Sequence, residues 1–376
     1  MHPSRLYYPM SHFWKSTRRW LPGVLISLVA IAVILRFIDL KHFIESMRLA
    51  NYWLLLAVLP CTVVWLAVRG MVWRTLLRKK ATYRDTFLTI CEGYLLNNFL
   101  PFRLGEVGRA FLLGRKSKLD FMEVLSTVVI ERILDLAIAA LILMSTVPFV
   151  VGAAGAGKIA LIIGSAVVSG LIVLFLFARN RDRVINFFER VSDRWPGLQK
   201  QGGNYLSALL SGLSILNNGW LFLRVMVWML LNWVVSFFQF HLLILSFFPK
   251  ATPLWPLFGL GVVSFGNAIP SLPGAVGTFE GSLGGAIMLL GGDQSTALAA
   301  AVTAHLFNYI STGIIGLYAL SSEGETLMGV YRQLKEKQAS MPGSKTTESV
   351  PSSGPGVDLS AADDLSRDEK EKKELP

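Results

Sequence analysis

Charge is what this chain has least of. Only 16% of its 376 residues are Asp, Glu, Lys or Arg, while 53% are hydrophobic, and the mean hydropathy is +0.51. Soluble domains carry roughly 25% charged residues, so this composition excludes an ordinary soluble domain and points to a polytopic membrane protein. Cysteine is almost absent too. Cys61 and Cys91 both lie in apolar runs, which excludes a disulfide-stapled ectodomain and a Cys-based zinc site. The net charge of +11 does not mark a nucleic-acid binder, because the basic residues cluster at the ends of apolar segments, where membrane topology accounts for them. No nucleotide site is expected either. Residues 152–158 match the start of a P-loop, but Ile159 stands where Ser or Thr must hold magnesium and a spanning segment follows. No metal, cofactor or catalytic residue is expected, so any transport would use an ion gradient or none.

A spanning helix needs about 20 mostly apolar residues. Six stretches meet that requirement: 21–37, 52–77, 121–147, 159–178, 220–248 and 296–320. No small-residue cleavage site follows the first, so it reads as a span and not as a signal peptide. Two further apolar stretches are interrupted, 86–102 by Asn97, Asn98 and Pro101, and 254–290 by Asn267, Pro270 and Pro273. Proline removes a backbone donor and restricts the residue before it; these stretches read as broken, re-entrant elements.

Basic residues orient the set. Lys15, Arg18 and Arg19 precede the first span, Arg69, Arg74, Arg78, Lys79, Lys80 and Arg84 follow the second, and Arg179, Arg181, Arg183, Arg190 and Arg194 follow the fourth. All are expected on the cytoplasmic side. Stretch 86–102 has that second cluster before it and Arg103, Arg109, Arg115, Lys116 and Lys118 after it, which predicts a segment that dips in and returns. Residues 1–20 and the carboxyl end are both placed in the cytoplasm. Residues 179–218 read as a cytoplasmic insert with Val184, Phe187, Phe188 and Val191 at helical spacing, expected to lie along the membrane surface. The tail, 321–376, carries eight acidic and five basic side chains beyond Gln338 with almost no large apolar residue, and is expected to be largely disordered.

The interrupted stretches resemble each other. One reads Asn98-Phe-Leu-Pro101-Phe-Arg103-Leu-Gly105-Glu106; the other reads Asn267-Ala-Ile-Pro270-Ser-Leu-Pro273-Gly274-Ala-Val-Gly277-Thr-Phe-Glu280. Glu106 to Glu131 and Glu280 to His305 are both 25 residues. The predicted fold is an all-α polytopic membrane protein of two inverted repeats, each with three spanning helices and one broken re-entrant hairpin. Repeat 1 covers 21–147 with its hairpin at 86–118; repeat 2 covers 148–320 with its hairpin at 254–290. The usual consequence is a site near the midplane where the two hairpins meet.

A charge at mid-membrane costs about 2.5–3.5 kcal/mol on insertion scales, so each needs a partner or a wet cavity. Asn98, Arg103, Glu106, Arg109, Glu131, Arg132, Asp135, Asn267, Glu280, His305 and Asn308 are the candidate substrate pathway. Pro101, Gly105, Pro270, Pro273, Gly274 and Gly277 would hold the hairpin backbone open. The competing reading is a structural lock, with Glu106 paired to Arg109 at i, i+3, Arg132 to Asp135 and Glu280 to His305. Glu92 and Arg224 read as locally paired or snorkelling. Gly277, Gly281 and Gly285 recur every four residues, a spacing that predicts a smooth face for close helix packing.

The run Asn98 to Arg109, then Val129-Ile-Glu-Arg-Ile-Leu-Asp135, then Pro270 to Glu280, resembles the lysylphosphatidylglycerol synthase transmembrane region family, also described as flippase-like. The resemblance covers about residues 20–320. It implies a flippase-type membrane domain of the bacterial inner membrane, acting on a lipid or lipid-linked precursor with a phosphate-bearing headgroup. No large soluble transferase domain follows residue 320, so lysyltransferase activity is not expected. His305 stands where relatives often carry Arg. A second expectation is a non-catalytic membrane partner that docks a separate lipid-modifying or glycosyl-transferring enzyme through 179–218.

Overall fold

The computed structural model describes residues 40–100, 103–151, 179–192, 218–269 and 273–324, with isolated positions elsewhere. All belong to the unit that ends at Val330. Span 21–37, most of span 159–178, Pro101, Pro270 and the tail beyond Gln338 lie outside the described residues.

The described residues are helical. Four helices are long and apolar enough to cross a membrane: α2 (Tyr52–Leu76), α5 (Phe121–Val151), α7 (Gly219–Phe247) and α10 (Gln294–Ser322). They coincide with four of the six expected spans. Their outward faces explain the composition. Leu223, Val227, Leu230, Val234 and Phe238 are exposed along α7, and Leu306, Ile310, Ile314 and Leu317 along α10. Stripes at three- and four-residue spacing are one helix face, and here that face meets hydrocarbon.

Four shorter helices form the two broken hairpins: α3 (Tyr83–Phe99) with α4 (Leu104–Ser117), and α8 (Leu254–Gly266) with α9 (Thr278–Leu289). At 12 to 17 residues each, they fall short of the length a span requires. The first break leaves Leu100 extended and puts Arg103 in the left-handed region at φ 55°. The second contains a 3-10 turn, Pro273–Ala275, with Gly274 and Ala275 both left-handed. Two amphipathic helices complete the set, α1 (Leu40–Leu49) and α6 (Arg181–Ser192). Val184 and Ile185 of α6 pack against the core formed by Leu66, Trp73, Leu113 and Val128, while Phe187 and Val191 remain exposed.

Asn51 and Asn218 cap α2 and α7, Asn51 accepting the Trp53 and Leu54 N–H groups and Asn218 that of Leu221. Both open an Asn-x-Trp-Leu sequence. The two helices then pack antiparallel along their length. The Asn51 N–H donates to the Ser246 carbonyl at 2.8 Å, Gln239 Nε2 to Thr62 Oγ1 at 2.9 Å, and Asn232 Nδ2 to the Trp65 carbonyl at 2.9 Å. Much of the remaining packing comes in matched pairs, α2 on α3 and α7 on α8, α4 on α5 and α9 on α10, α2 on α5 and α7 on α10, while the contact of α1 with α10 stands outside that pattern. Across the halves, α3 packs on α10 and α8 on α5.

Two sequence expectations are corrected here. Arg69 is not a cytoplasmic anchor but is buried inside the bundle. Among the described residues the glycine stripe has no packing partner at Gly281 or Gly285, where an added Cβ meets nothing within 4 Å. Close approach occurs elsewhere. A Cβ on Gly93 would lie 2.9 Å from Arg109 Cβ, and one on Gly316 2.7 Å from the Cys91 carbonyl.

Candidate functional site

The second described span, α5, carries Glu131, Arg132 and Asp135, and the ionic network is built around them. Glu131 is fully buried, and its Oε1 lies 2.6 Å from Arg69 Nη2, 2.7 Å from Arg132 Nη2 and 3.3 Å from Arg109 Nη2. Asp135 faces Arg69 through both oxygens, Arg132 at 3.2 Å, and the Trp233 indole N–H at 3.3 Å. Arg69 also donates to Asn232 Oδ1 at 3.2 Å. At the rim, Arg103 pairs with Glu106 at 3.0 Å and Arg132 approaches Glu106 at 3.6 Å. Four guanidiniums thus face three carboxylates. A buried pair survives only when geometry and hydrogen bonds repay desolvation, and the shared oxygen of Glu131 leaves one positive charge without its own counter-ion.

The network opens into a cavity of about 390 Å³. Arg69, Arg103, Glu106, Arg132 and Asp135 line it together with apolar Val58, Phe240, Leu243 and Leu260. Along α2 the lining runs from Arg69 to Val58, a span of about 16 Å at 1.5 Å rise per residue. The antiparallel α7 follows it from Asn232 to Leu243. The cavity is therefore charged at one end and apolar at the other, with the Thr62–Gln239 hydrogen bond between. Buried Arg69 Nε and Arg132 Nε find no acceptor among the described residues.

Beside it, a pocket of about 110 Å³ lies where the hairpin tips meet, lined by Asn98, Arg103, Asn267, Gly274, His305 and Asn308 among others. Arg103 Nη1 donates to the Asn267 carbonyl at 3.0 Å, tying the first hairpin to the second. Asn98 Nδ2 donates to Thr312 Oγ1 at 3.1 Å, and the Tyr309 hydroxyl donates to the Asn98 carbonyl. His305 bridges Glu280 Oε1 and the Gly274 carbonyl, each at 2.7 Å.

The structure places Arg103, Glu106, Arg132, Asp135, Asn267 and Asn308 on the larger cavity, and Asn98, His305 and Gly274 on the smaller pocket. Arg109 and Glu131 stand behind the wall; the Arg109 guanidinium packs over the Trp73 ring at 4.8 Å. Glu106 does not pair with Arg109 as the i, i+3 spacing suggested, because α4 turns Arg109 toward Trp73 and leaves Glu106 to Arg103 and Arg132. Gly105 packs on Gly93 and Asn97, Pro273 opens the 3-10 turn, and Gly277 starts α9, its N–H donating to Glu280 at 2.8 Å. Glu92 pairs with Lys116 at 2.9 Å and Arg224 packs over Trp220. Sequence reasoning missed Arg69, Asn232, Trp233 and Gln239. The signal available was an arginine seven residues inside the end of a 25-residue helix.

The family described as lysylphosphatidylglycerol synthase TM region matches residues 20–316. This chain belongs to that family. The match takes in both hairpins and the whole ionic network, so it shows an integral, multi-pass membrane protein. A protein of Methanothermobacter thermautotrophicus described as a UPF0104 membrane protein is 21% identical over 280 residues, 71% of this chain and 82% of the relative. No solved structure matches the chain.

Proposed function

We propose that this chain is a flippase-like translocase, and not an enzyme, that carries a lipid or lipid-linked precursor with a phosphate-bearing headgroup across the plasma membrane. One observation carries the reading: a single cavity with surplus guanidinium charge at one end and an apolar wall at the other. Phosphate oxygens match guanidinium donors, in fork geometry and in charge. Arg103 and Arg132, at the cavity rim with Glu106 between them, receive the headgroup; Val58, Phe240 and Leu243 accommodate the start of the acyl or prenyl chain.

The same proposal makes the two halves inverted repeats. The antiparallel contact of α2 with α7, the matching Asn caps and the paired packing pattern support it. Equivalent helices related by an axis in the membrane plane run in opposite directions, whereas an axis along the membrane normal would make them parallel. Charge bias then puts both termini in the cytoplasm.

Native mass spectrometry of the purified protein tests the reading. One class of phosphate-bearing lipid, enriched over the bulk membrane, is expected on the wild type and is lost in folded Arg132→Gln and Arg103→Gln. Bulk lipid composition on all three proteins would end the proposal.

A further inference from the structure

His305 lies one helical turn before Tyr309 on α10 and is 6% exposed. Its ring stacks on Phe279 with centroids 4.7 Å apart and meets the edge of Tyr309 at 5.3 Å. Nε2 is 2.7 Å from the Gly274 carbonyl and Nδ1 is 2.7 Å from Glu280 Oε1. A carbonyl oxygen only accepts, so Nε2 carries a hydrogen. The contact between Nδ1 and Oε1 then needs a proton of its own, on either the nitrogen or the oxygen. The other carboxylate oxygen is committed, since Glu280 Oε2 accepts the Gly277 N–H at 2.8 Å.

The pair thus holds one proton more than a neutral imidazole beside a carboxylate, and with that proton its net charge is zero. Remove it and two lone pairs face each other across 2.7 Å. Either Glu280 or Gly274 must then let go of the ring. Gly274 is one of two left-handed residues of the 3-10 turn at the tip of the second hairpin, so release there frees the tip. One turn further along the same face of α10, Tyr309 holds the Asn98 carbonyl of the first hairpin. One stretch of α10 therefore secures both hairpins, and only one of its two fastenings contains an exchangeable excess proton.

We infer that Glu280 and His305 form a proton-binding site whose occupancy keeps the second hairpin tip closed, so that translocation is coupled to proton uptake and release. This rests on the translocase reading above. The small pocket gives the proton its exit, for His305 lines it with Gly274 and Arg103, and Arg103 and Asn267 also line the headgroup cavity. The pair passes from neutral to one negative charge as the proton leaves to water. Few other ionisable groups compete. Tyr309 on α10 and Tyr94 of α3 lie close by, and Arg103 faces the pocket from the start of α4. Helix α8, packed on α9, has no ionisable residue. On α7 the ionisable groups are Arg224, over Trp220, and His241, stacked on Phe237. On α1, Lys41, His42, Glu45 and Arg48 are exposed; that helix meets α10 from Thr296, 3.0 Å from the Ser46 hydroxyl, to Thr303, whose hydroxyl lies 3.1 Å from Met47 Sδ and two residues from His305.

The test measures hydrogen exchange of residues 273–284 by mass spectrometry, corrected for intrinsic rates, at about pH 6 and about pH 9, the range over which histidine changes charge. Wild type is expected to lose protection at the higher pH. His305→Arg, which cannot release its proton, is expected to stay protected at both, and His305→Gln to be unprotected at both. Equal protection of wild type at the two pH values, or the same loss in His305→Arg, overturns the site.

Translocation is read in parallel, using fluorescent phosphatidylglycerol in vesicles of phosphatidylethanolamine and phosphatidylglycerol. Wild-type flux is expected to change by up to about tenfold per unit of imposed pH gradient, the limit for one proton, and His305→Arg flux to ignore the gradient. Wild-type flux that also ignores it overturns the coupling. Absence of flux in every vesicle, with the wild-type switch in protection intact, removes the translocase reading and the coupling with it, while the proton site stands.

Discussion

Arg69 on α2 and Asp135 on α5 share a two-pronged ion pair, each terminal nitrogen of the guanidinium facing one carboxylate oxygen. The pair clamps two spanning helices 66 positions apart in sequence, and Glu131 adds a second contact to the same arginine. Arg69 and Glu131 are buried and Asp135 nearly so, and an unpaired charge in such a place is far more costly than in water.

Arg69→Leu should therefore destabilise the protein, because it removes the two-pronged partner of Asp135 and one of the three guanidiniums at Glu131 Oε1, leaving Asp135 to Arg132 and Glu131 to Arg132 and Arg109. Breaking such a buried pair costs about 3–5 kcal/mol. The double variant Arg69→Leu with Asp135→Leu should recover part of that loss, since both charges then leave together. Thermal unfolding of the purified protein in mild detergent checks both statements. A single variant as stable as wild type would remove the clamp.

Arg132 and Arg109 both touch Glu131 but should behave differently when changed to Gln. The Arg132 side chain is 25% exposed, on the cavity wall, whereas that of Arg109 is 4% exposed and wedged against Trp73. Arg132→Gln should keep the wild-type melting temperature within a few degrees and lose the enriched lipid. Arg109→Gln should melt lower, losing about 2 kcal/mol or more, the scale for a buried charge left without its partner and its ring contact. Identical behaviour of the two would mean that the wall and the layer behind it are not separate.

The end caps offer a smaller, paired effect. Asn51→Ala and Asn218→Ala each remove an acceptor for first-turn N–H groups, a loss of about 1 kcal/mol at a helix start. If α2 and α7 are equivalent elements, the two variants should lower the melting temperature by similar amounts, and the double variant by their sum, since the caps sit at opposite ends of an antiparallel pair. Thermal melts of the three proteins decide this.

Much of this arrangement was legible in the sequence because hydrocarbon enforces strict rules. Apolar length alone located α2, α5, α7 and α10, and proline with asparagine marked both hairpins. The partners of the charges were less legible. Local spacing suggested Glu106 with Arg109, yet the bundle brings Arg103 and Arg132 to Glu106 from a left-handed turn and a neighbouring helix. Arg69 was misread because it begins a run of basic residues that ends in exposed Arg78, Lys79 and Lys80; only the packing of α2 on α7 and α5 shows that its guanidinium points inward to Asn232 and Asp135. The glycines at 281 and 285 carried the spacing of a contact face without a helix against them among the described residues, since spacing defines a face but not what lies against it.

That last point gives a prediction of opposite sign at two kinds of glycine. Gly316 lets α10 approach α3, where a Cβ would meet Leu95 Cβ at 2.5 Å and the Cys91 carbonyl at 2.7 Å. A backbone carbonyl within a helix cannot step aside as a flexible side chain can, so Gly316→Ala should be destabilising by about 1–3 kcal/mol, as overpacked cores are. Gly281 and Gly285 lie inside α9 with open space before them. Replacing either by alanine removes backbone entropy from the unfolded chain and improves helix propensity by about 0.8–1 kcal/mol, so both variants should melt higher than wild type. The comparison needs only thermal melts of three single variants in the same detergent. Stabilisation at 281 and 285 with destabilisation at 316 would place the close helix contact of this fold between α3 and α10; a loss of stability at 281 or 285 would mean that a partner surface covers α9 in the folded protein.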